Sequence, residues 1–251
     1  MRRDCGDWDI CKTCETMITN SRIYLSAPVN AIVEGIYEEH VPFSEIKRHG
    51  DFGLGTFDLL DGEMVMLDGR IWQVTADGRV REVGDDALTP FACVTFYRPE
   101  QHVALDEELG YDEFLRRLRA PLPSANIFYA FRIEGEFAHM KVRSVPKSEC
   151  YIPLVEIAKE QPVFEFENIT GTLAGFFTPA FMSSISVPGM HLHFLSDDLA
   201  HGGHLLSCRP RRVRAGIQSL HSVELALPTT SYYLGWDFSR DVARDLDKAE
   251  K

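Results

Sequence analysis

The stretch Gly189-Met190-His191-Leu192-His193-Phe194 alternates polar and apolar side chains, which is the pattern of a half-buried β-strand. Side chains two residues apart in a strand point to the same face of a sheet. His191 and His193 are therefore expected on one face, with Leu192 and Phe194 on the opposite, apolar face. The stretch predicts a strand that presents two imidazoles together.

The residues that follow this strand predict a hairpin. The run 196–203 is polar and rich in glycine, and His204 opens a stretch that would return alongside the first strand. Three imidazoles on one wall, with a fourth position open, are the ligand set of a catalytic zinc site. His201 competes for the third place, but it lies at the loop tip, where a side chain is held less firmly. The spacing therefore favours His191, His193 and His204 as metal ligands.

Composition narrows the classes of function. With 251 residues and 45% hydrophobic side chains, the chain can form one large domain or two small ones. Its net charge of -12 is spread along the sequence without a Lys/Arg cluster, which argues against nucleic acid and anionic membranes as partners. No apolar run reaches bilayer length, and the N-terminus shows no apolar signal segment. A cytoplasmic location is therefore expected.

Three cysteines lie near the N-terminus. Cys11 and Cys14 have the CxxC spacing of zinc and redox sites, and Cys5 precedes them. No second CxxC follows, and the flanking residues do not predict the strand-to-helix turn of a redox motif. We interpret the three as free thiols in a weakly ordered N-terminal extension, residues 1–20.

Two short helices and a glycine pair are predicted in the first quarter of the chain. Apolar residues at helical spacing predict a helix over 29–37, and Ser44 is expected to cap a second helix that Gly50 closes. Gly53 and Gly55 indicate places where two backbones approach closely. They lack the third glycine and the strand-to-helix setting of a dinucleotide site, so such a site is not expected.

The middle of the chain predicts strands. Asp68-Gly69 and Asp77-Gly78 are strong hairpin signals, and they separate three predicted strands. A further hairpin is predicted across Glu134-Gly135-Glu136, and Ser239 is expected to cap a terminal helix. Helices at both ends of a β-rich middle predict an α+β fold with mixed or antiparallel sheets and a few flanking helices. The predicted strands cover residues 64–67, 71–75, 80–83, 91–97, 125–133, 137–145, 164–166, 172–177 and 213–227.

Some charged residues stand in apolar surroundings. Glu63 follows a tight Asp-Gly turn and enters an apolar strand. His139, Lys141 and Arg143 alternate along one predicted strand and therefore share a face. From the pattern alone, a solvated sheet face is the simplest interpretation of these three residues.

From about residue 23 to the C-terminus, the chain resembles the acetolactate decarboxylase family. The first twenty residues fall outside the resemblance. The order and the spacing of the motifs both match those of the family. The motifs are Gly35-Ile36-Tyr37, His49-Gly50-Asp51-Phe52-Gly53-Leu54-Gly55-Thr56-Phe57, Leu60-Asp61-Gly62-Glu63, Thr89-Pro90-Phe91-Ala92, Phe128-Tyr129-Ala130, Lys141-Val142-Arg143-Ser144-Val145-Pro146, Phe164-Glu165-Phe166-Glu167-Asn168, Gly171-Thr172, Gly175-Phe176, Thr178-Pro179, Pro188 through Phe194, and Gly202-Gly203-His204.

The resemblance implies an activity and a cofactor. The family converts 2-acetolactate to acetoin and carbon dioxide, a step of butanediol metabolism, with one zinc ion per chain. It implies a decarboxylase domain over residues 21–251, with an N-terminal half of about 21–120 and a zinc-bearing half of about 121–251. Carried over by motif, the zinc ligands are His191, His193 and His204.

The resemblance also implies catalytic residues. Glu63 matches the glutamate of the family's LDGE motif, and Arg143 matches its strand arginine. Glu250 resembles the glutamate of a loosely patterned C-terminal tail, where a solvated terminal charge is the ordinary interpretation. Zinc would polarise the substrate ketone, and loss of carbon dioxide would leave an enediolate that a carboxylic acid protonates. Either Glu63 or Glu250 would supply that proton, and Arg143 would hold the substrate carboxylate.

Two other functions are compatible with a histidine triad. One is a zinc-binding protein on the same fold that has lost catalysis, which would be expected to lack Glu63 or Arg143. The other is a zinc hydrolase, which would need a glutamate beside the histidines, as in HExxH. The sequence contains both Glu63 and Arg143, and it lacks an HExxH motif. The expected partner is a small-molecule substrate, 2-acetolactate, and self-association as a homodimer is a further expectation.

Overall fold

The computed structural model describes residues 21–37, 41–148, 152–240 and 245–246. Its helices over these residues are short: Val29–Val33, Phe43–Ile46, Tyr111–Arg119, Leu154–Ile157 and Ser231–Gly235, with 3-10 turns at Asp58–Leu60, Ala158–Glu160 and Ala180–Met182. The strands are β1 (Arg22–Leu25), β2 (Val41–Pro42), β3 (Phe52–Thr56), β4 (Glu63–Leu67), β5 (Arg70–Val74), β6 (Val80–Val83), β7 (Leu88–Thr89), β8 (Ala92–Thr95), β9 (Gln101–Leu105), β10 (Phe128–Arg143), β11 (Val163–Thr178), β12 (Gly189–Ser196), β13 (Gly202–Leu220) and β14 (Ser222–Leu225). The predicted α+β class is confirmed.

The first large sheet has the strand order β14-β1-β8-β3-β4-β5-β6. Its neighbours are antiparallel except for β1 and β14. The hairpin predicted at Asp68-Gly69 is confirmed, because both residues have positive φ (53° and 75°) between the paired residues Leu67 and Arg70. This is the conformation that a two-residue type I′ turn requires.

The second large sheet is built from long strands. β10 pairs with both β11 and β13, and β12 also pairs with both, so these four strands form a closed circuit of hydrogen-bonded neighbours. β9 pairs with the other end of β13. The circuit encloses an apolar core to which Phe131, Leu173 and Phe194 belong. Its inward face is therefore fixed by the alternation of side chains along each strand.

The hairpin predicted across Glu134-Gly135-Glu136 is wrong, because β10 runs unbroken through it. Gly135 has a φ of +146°, and a Cβ at this position would lie 2.1 Å from the main-chain oxygen of Arg212. The glycine thus serves a close approach of β13 and not a turn. Likewise, the strands predicted over 164–166 and 172–177 are parts of the single strand β11.

Two helix predictions also need correction. The first helix ends at Val33, because Gly35, at φ +90°, cannot continue it. The second begins at Phe43 after Pro42, so Ser44 lies inside its first turn and caps nothing. The predicted terminal helix after Ser239 falls mostly outside the described residues, as does the N-terminal extension with its cysteines.

The two large sheets pack face to face around a shared core. The rings of Phe52 on β3 and Phe176 on β11 meet edge to face with centroids 6.1 Å apart. Gly53 and Gly55 let β3 pass close to β8, since a Cβ would lie 2.1 Å and 2.3 Å from the oxygens of Cys93 and Phe91. The close backbone approach predicted for this glycine pair is confirmed.

Several expectations about organisation stay predictions. The division of the domain near residue 120 is one of them. β9 precedes residue 120 but joins the sheet of β10–β13, and β14 follows it but joins the sheet of β1, β3–β6 and β8. Homodimer formation and a cytoplasmic location are others. Among the described residues, no helix is both long and apolar enough to cross a membrane.

Candidate metal centre and cavity

Three histidines converge where the two sheets meet. His193 on β12 and His204 on β13 are direct cross-strand partners, and His191 lies two residues before His193 on the same face. The ring centroids are 5.0 to 5.3 Å apart. All three residues are buried, and their ligand nitrogens lie within 4.8 Å of one another. This is close enough for a single metal ion to bind all three.

The hairpin register follows from the apolar face of the strand. Leu192 and Phe194 are buried in the core of the second sheet, which turns the two histidines of the HxH motif to the other side. The hairpin predicted over 196–203 is confirmed. His201 lies outside the histidine group, and its ring is 4.4 Å from that of Phe166.

The orientation of His193 is set by the first sheet. Its Nδ1 lies 2.8 Å from the main-chain oxygen of Met64 on β4. A carbonyl oxygen only accepts, so Nδ1 carries the proton and donates it, and Nε2 keeps its lone pair. Nε2 is buried and has no hydrogen-bond partner among the described residues. A buried lone pair without a hydrogen-bond partner, directed by the bond from Nδ1 to Met64, fits a metal ligand.

The protonation states of the histidines also suit a metal. Burial, with a smaller contribution from the charge of Arg143, lowers the pKa of His191 to about 3. Burial lowers the pKa of His193 well below its usual value, with His191 adding to this effect and the bond to Met64 opposing it. Both imidazoles are therefore neutral near pH 7, and only neutral imidazole binds a metal.

Glu63 enters the site at the start of β4. Gly62 before it has a φ of +92°, and a Cβ there would lie 2.2 Å from the main-chain oxygen of Val74. The hydroxyl of Thr56 donates to the Gly62 oxygen over 2.7 Å, which fixes the turn. The Glu63 side chain is buried, with its carboxylate 3.5 Å from Nε2 of His193. The turn thus directs a carboxylate to the histidine group.

Arg143 reaches the same place from the end of β10. It is the cross-strand partner of His204 and is buried. His139 and Lys141 share its face but contact the exposed Glu165, at 3.2 Å and 3.1 Å. The predicted solvated face therefore holds for the outer part of the strand and is wrong at Arg143. Arg143 lines the cavity, and residues of the first sheet that line the same cavity cover this end of the strand.

A cavity opens onto these groups, with an empty volume of about 480 Å³ including its mouth. Glu63 is the only carboxylate among the described residues that line it. The cavity can thus hold a small anion beside a metal and an arginine. The lining residues are Val29, Ile32, Gly55, Thr56, Leu60, Glu63, Phe91, Arg143, Val145, Leu154, Gln161, Val187, His191, His193 and His204.

Comparison with known proteins agrees with this geometry. The family profile described as alpha-acetolactate decarboxylase matches residues 23–240. The chain belongs to the alpha-acetolactate decarboxylase family. Family members from Methanosarcina mazei and Bacillus subtilis are 37% and 35% identical to it, over 91% and 92% of this chain and 80% and 91% of theirs.

Solved structures of the family have the same fold. The crystal structure of alpha-acetolactate decarboxylase from Bacillus subtilis strain 168 matches with a TM-score of 0.89 at 34% identity, covering 92% of this chain and 99% of that one. A Staphylococcus aureus protein of unknown function, similar to alpha-acetolactate decarboxylase, matches with a TM-score of 0.88 at 28% identity, covering 91% and 100%. The family resemblance noted in the sequence is confirmed.

The third predicted catalytic residue, Glu250, lies outside the described residues. Leu246 is buried in the same core cluster as the cavity residues Val29 and Ile32. Arg240 donates to Glu34, at the end of the first helix, over 2.9 Å and to Asp245 over 2.7 Å.

Two polar lining residues were not singled out as functional from the sequence. Thr56 stands in the glycine-rich motif, whose glycines indicated close packing and nothing about its hydroxyl. Gln161 follows a 3-10 turn and precedes Pro162, in a segment without periodicity. A side chain in such a segment carries no local signal of the surface it lines.

Proposed function

We propose that the chain decarboxylates 2-acetolactate to acetoin, with a zinc ion held by His191, His193 and His204. One observation carries this proposal: three buried histidines open onto a cavity that also contains one arginine and one carboxylate, in a chain of this family. Imidazole is a common zinc ligand, and three protein ligands leave a position for substrate. When bound, the metal supplies a Lewis acid for the substrate ketone.

Arg143 is proposed to bind the substrate carboxylate. Its guanidinium is planar and always charged, and it offers paired donors that match a carboxylate. Its cross-strand pairing with His204 holds this group beside the metal ligands. The carboxylate would thus be oriented at a fixed position relative to the ketone. With the carboxylate held there, the bond that joins it to the central carbon breaks and carbon dioxide leaves.

A glutamic acid is proposed to complete the reaction. The electron pair of the broken bond passes into an enediolate, and the central carbon must then gain a proton to give acetoin. Glu63 is proposed as one candidate donor, because its buried carboxylate lies beside His193 and lines the cavity. Glu250 is the other candidate. The carboxylate left behind would regain its proton from water at the cavity mouth.

The test is metal analysis combined with an assay for acetoin. The purified chain, loaded with one equivalent of zinc, is expected to form acetoin and carbon dioxide from 2-acetolactate in equal amounts. Activity should disappear after treatment with a chelator and return on addition of zinc. A chain that binds zinc tightly but forms no acetoin would instead be the non-catalytic zinc-binding protein.

A further inference from the structure

One polar group in the cavity has no part in the chemistry proposed above. Gln161 lines the cavity, and its side-chain oxygen Oε1 is buried without a hydrogen-bond partner among the described residues. Thr56, by contrast, already donates its hydroxyl proton to the oxygen of Gly62. A buried acceptor without a donor carries a free-energy cost, because it has given up its hydrogen bonds to water. A ligand that brings a donor to this oxygen would recover that cost.

The backbone holds Gln161 next to the arginine. Val163 is the cross-strand partner of Arg143, and the amide of Ser144 donates to the oxygen of Pro162 over 3.3 Å. Proline restricts the residue before it to extended conformations, and Gln161 has φ -67° and ψ 126°. The amide therefore lies near the group proposed to take the substrate carboxylate, on a backbone with little freedom.

We propose that Gln161 is a specificity-determining residue whose Oε1 accepts a hydrogen bond from the hydroxyl group on the carbon that bears the substrate carboxylate. This rests on the proposed function, because it takes 2-acetolactate as the substrate. The carboxylate and the ketone of that substrate only accept, so its 2-hydroxyl is its one donor at neutral pH. A neutral amide suits this place, since a second carboxylate would repel the substrate.

The expected consequence is selection for 2-hydroxy acids. A site built to hydrogen-bond a hydroxyl discriminates strongly against an analogue that lacks it, because the buried acceptor is then left unmet. The pair 2-hydroxy-2-methylbutanoate and 2-methylbutanoate differs only in this hydroxyl, and neither has a ketone that would allow decarboxylation. The ratio of their dissociation constants is therefore a direct measure of the hydroxyl preference.

Both dissociation constants are measured by calorimetry on the zinc-loaded protein. Gln161→Met keeps the length of the side chain and removes its polar atoms, so the hydroxyl preference is expected to fall about tenfold, near the loss of one hydrogen bond. Gln161→Glu keeps the acceptor and should retain the preference while weakening both anions. Glu160→Gln, at the exposed neighbouring position, is the matched control and should match wild type. Zinc content should be unchanged in all three, and none of them should melt at a lower temperature than wild type.

Two results would overturn the assignment. A hydroxyl preference that persists in Gln161→Met but vanishes in Glu63→Gln would move the acceptor to Glu63. If the hydroxyl preference is lost in Gln161→Glu as it is in Gln161→Met, the amide of Gln161 acts as a donor and not as an acceptor. Since binding is measured without turnover, these results are separate from the acetoin assay. A wild-type chain that forms no acetoin would refute the proposed function, whereas normal turnover with an unchanged preference in Gln161→Met would refute this inference alone.

Discussion

The imidazole of His193 donates through Nδ1 to the main-chain oxygen of Met64, 2.8 Å away, and this bond joins the two sheets at the candidate metal centre. Met64 is the residue directly after Glu63 on β4. The strand that orients the histidine therefore also delivers the carboxylate. Glu63 stands on β4 and His193 on β12, so a shift of one strand against the other would change the distance between the two groups. Their relative position is therefore set by sheet packing and not by flexible loops.

The first prediction concerns the metal ligands. His191→Ala, His193→Ala and His204→Ala should each bind much less zinc and lose acetoin formation, because each removes one of three ligands. His201→Ala is the control, since its ring packs beside Phe166 outside the histidine group. Zinc is measured by elemental analysis of the purified variants. A full zinc site in His204→Ala, with an empty one in His201→Ala, would contradict the assignment.

The second prediction concerns Arg143. Arg143→Lys keeps the charge but loses the planar pair of donors, and turnover should fall at least about tenfold, or 1.4 kcal/mol of transition-state stabilisation. Zinc content should not change. Lys141→Arg, on the same face but paired with exposed Glu165, is the matched control and should have wild-type kinetics. Equal turnover in both variants would place Arg143 outside the reaction.

Local patterns were sufficient to predict the histidine hairpin and the Asp68-Gly69 turn. In both, residues close in the sequence decide the outcome: side-chain alternation fixes the face, and two residues of positive φ fix the turn. The turn predicted at Gly135 was wrong. The glycine there allows β13 to approach closely and does not form a turn. The difference depends on a strand about eighty residues away along the chain.

The residues of the cavity show the same limit. Alternation correctly placed Arg143 on one face with Lys141, yet the sequence could not show that only the end of this face is covered. Covering it requires residues such as Gly55 and Phe91 from the first sheet. The burial of Glu63 likewise follows from packing between sheets. The family motifs indicated Arg143 and Glu63 because family members share this long-range packing.

The third prediction concerns pH and the metal-free protein. The unfolded chain protonates its histidines near pH 6.5, whereas the folded chain keeps His191 neutral down to about pH 3. Between these values the unfolded state binds more protons, so stability falls as the pH is lowered. The slope is at most about 1.4 kcal/mol per pH unit for each such imidazole.

The check is urea unfolding of metal-free protein at pH 7 and pH 5. Wild type should lose more stability between these values than His191→Leu, which has one fewer group of this kind. The two proteins share every other titrating residue, so the difference reports His191 together with its effect on the pKa of His193. Identical losses would show that the imidazole is protonated in the folded state.

The fourth prediction concerns the turn before Glu63. Gly62→Ala should lower the free energy of unfolding by about 2 kcal/mol or more, because an alanine is strained at φ +92° and its Cβ would lie 2.2 Å from the Val74 oxygen. Gly69→Ala, also at positive φ but with open space around it, should cost only about 1–2 kcal/mol. Denaturant unfolding measures both.

The same pair of variants separates stability from function. Gly62→Ala should also reduce acetoin turnover in the folded protein, since the shifted turn moves the Glu63 carboxylate. Gly69→Ala should retain wild-type turnover. Normal turnover in Gly62→Ala, despite lost stability, would indicate that the reaction does not depend on the position of Glu63.

The last prediction distinguishes the two candidate acids. Leu246 is buried in the core cluster that also contains the cavity residues Val29 and Ile32, and Glu250 follows it four positions later in the sequence. If Glu250 supplies the proton, Glu250→Gln and a chain ending at Ala249 should both lose about 10²-fold or more in turnover, with zinc and melting temperature retained. Glu63→Gln should then be affected less. If Glu63 is the acid, Glu63→Gln alone should show this loss. Glu250→Gln and the chain ending at Ala249 should then form acetoin at the wild-type rate.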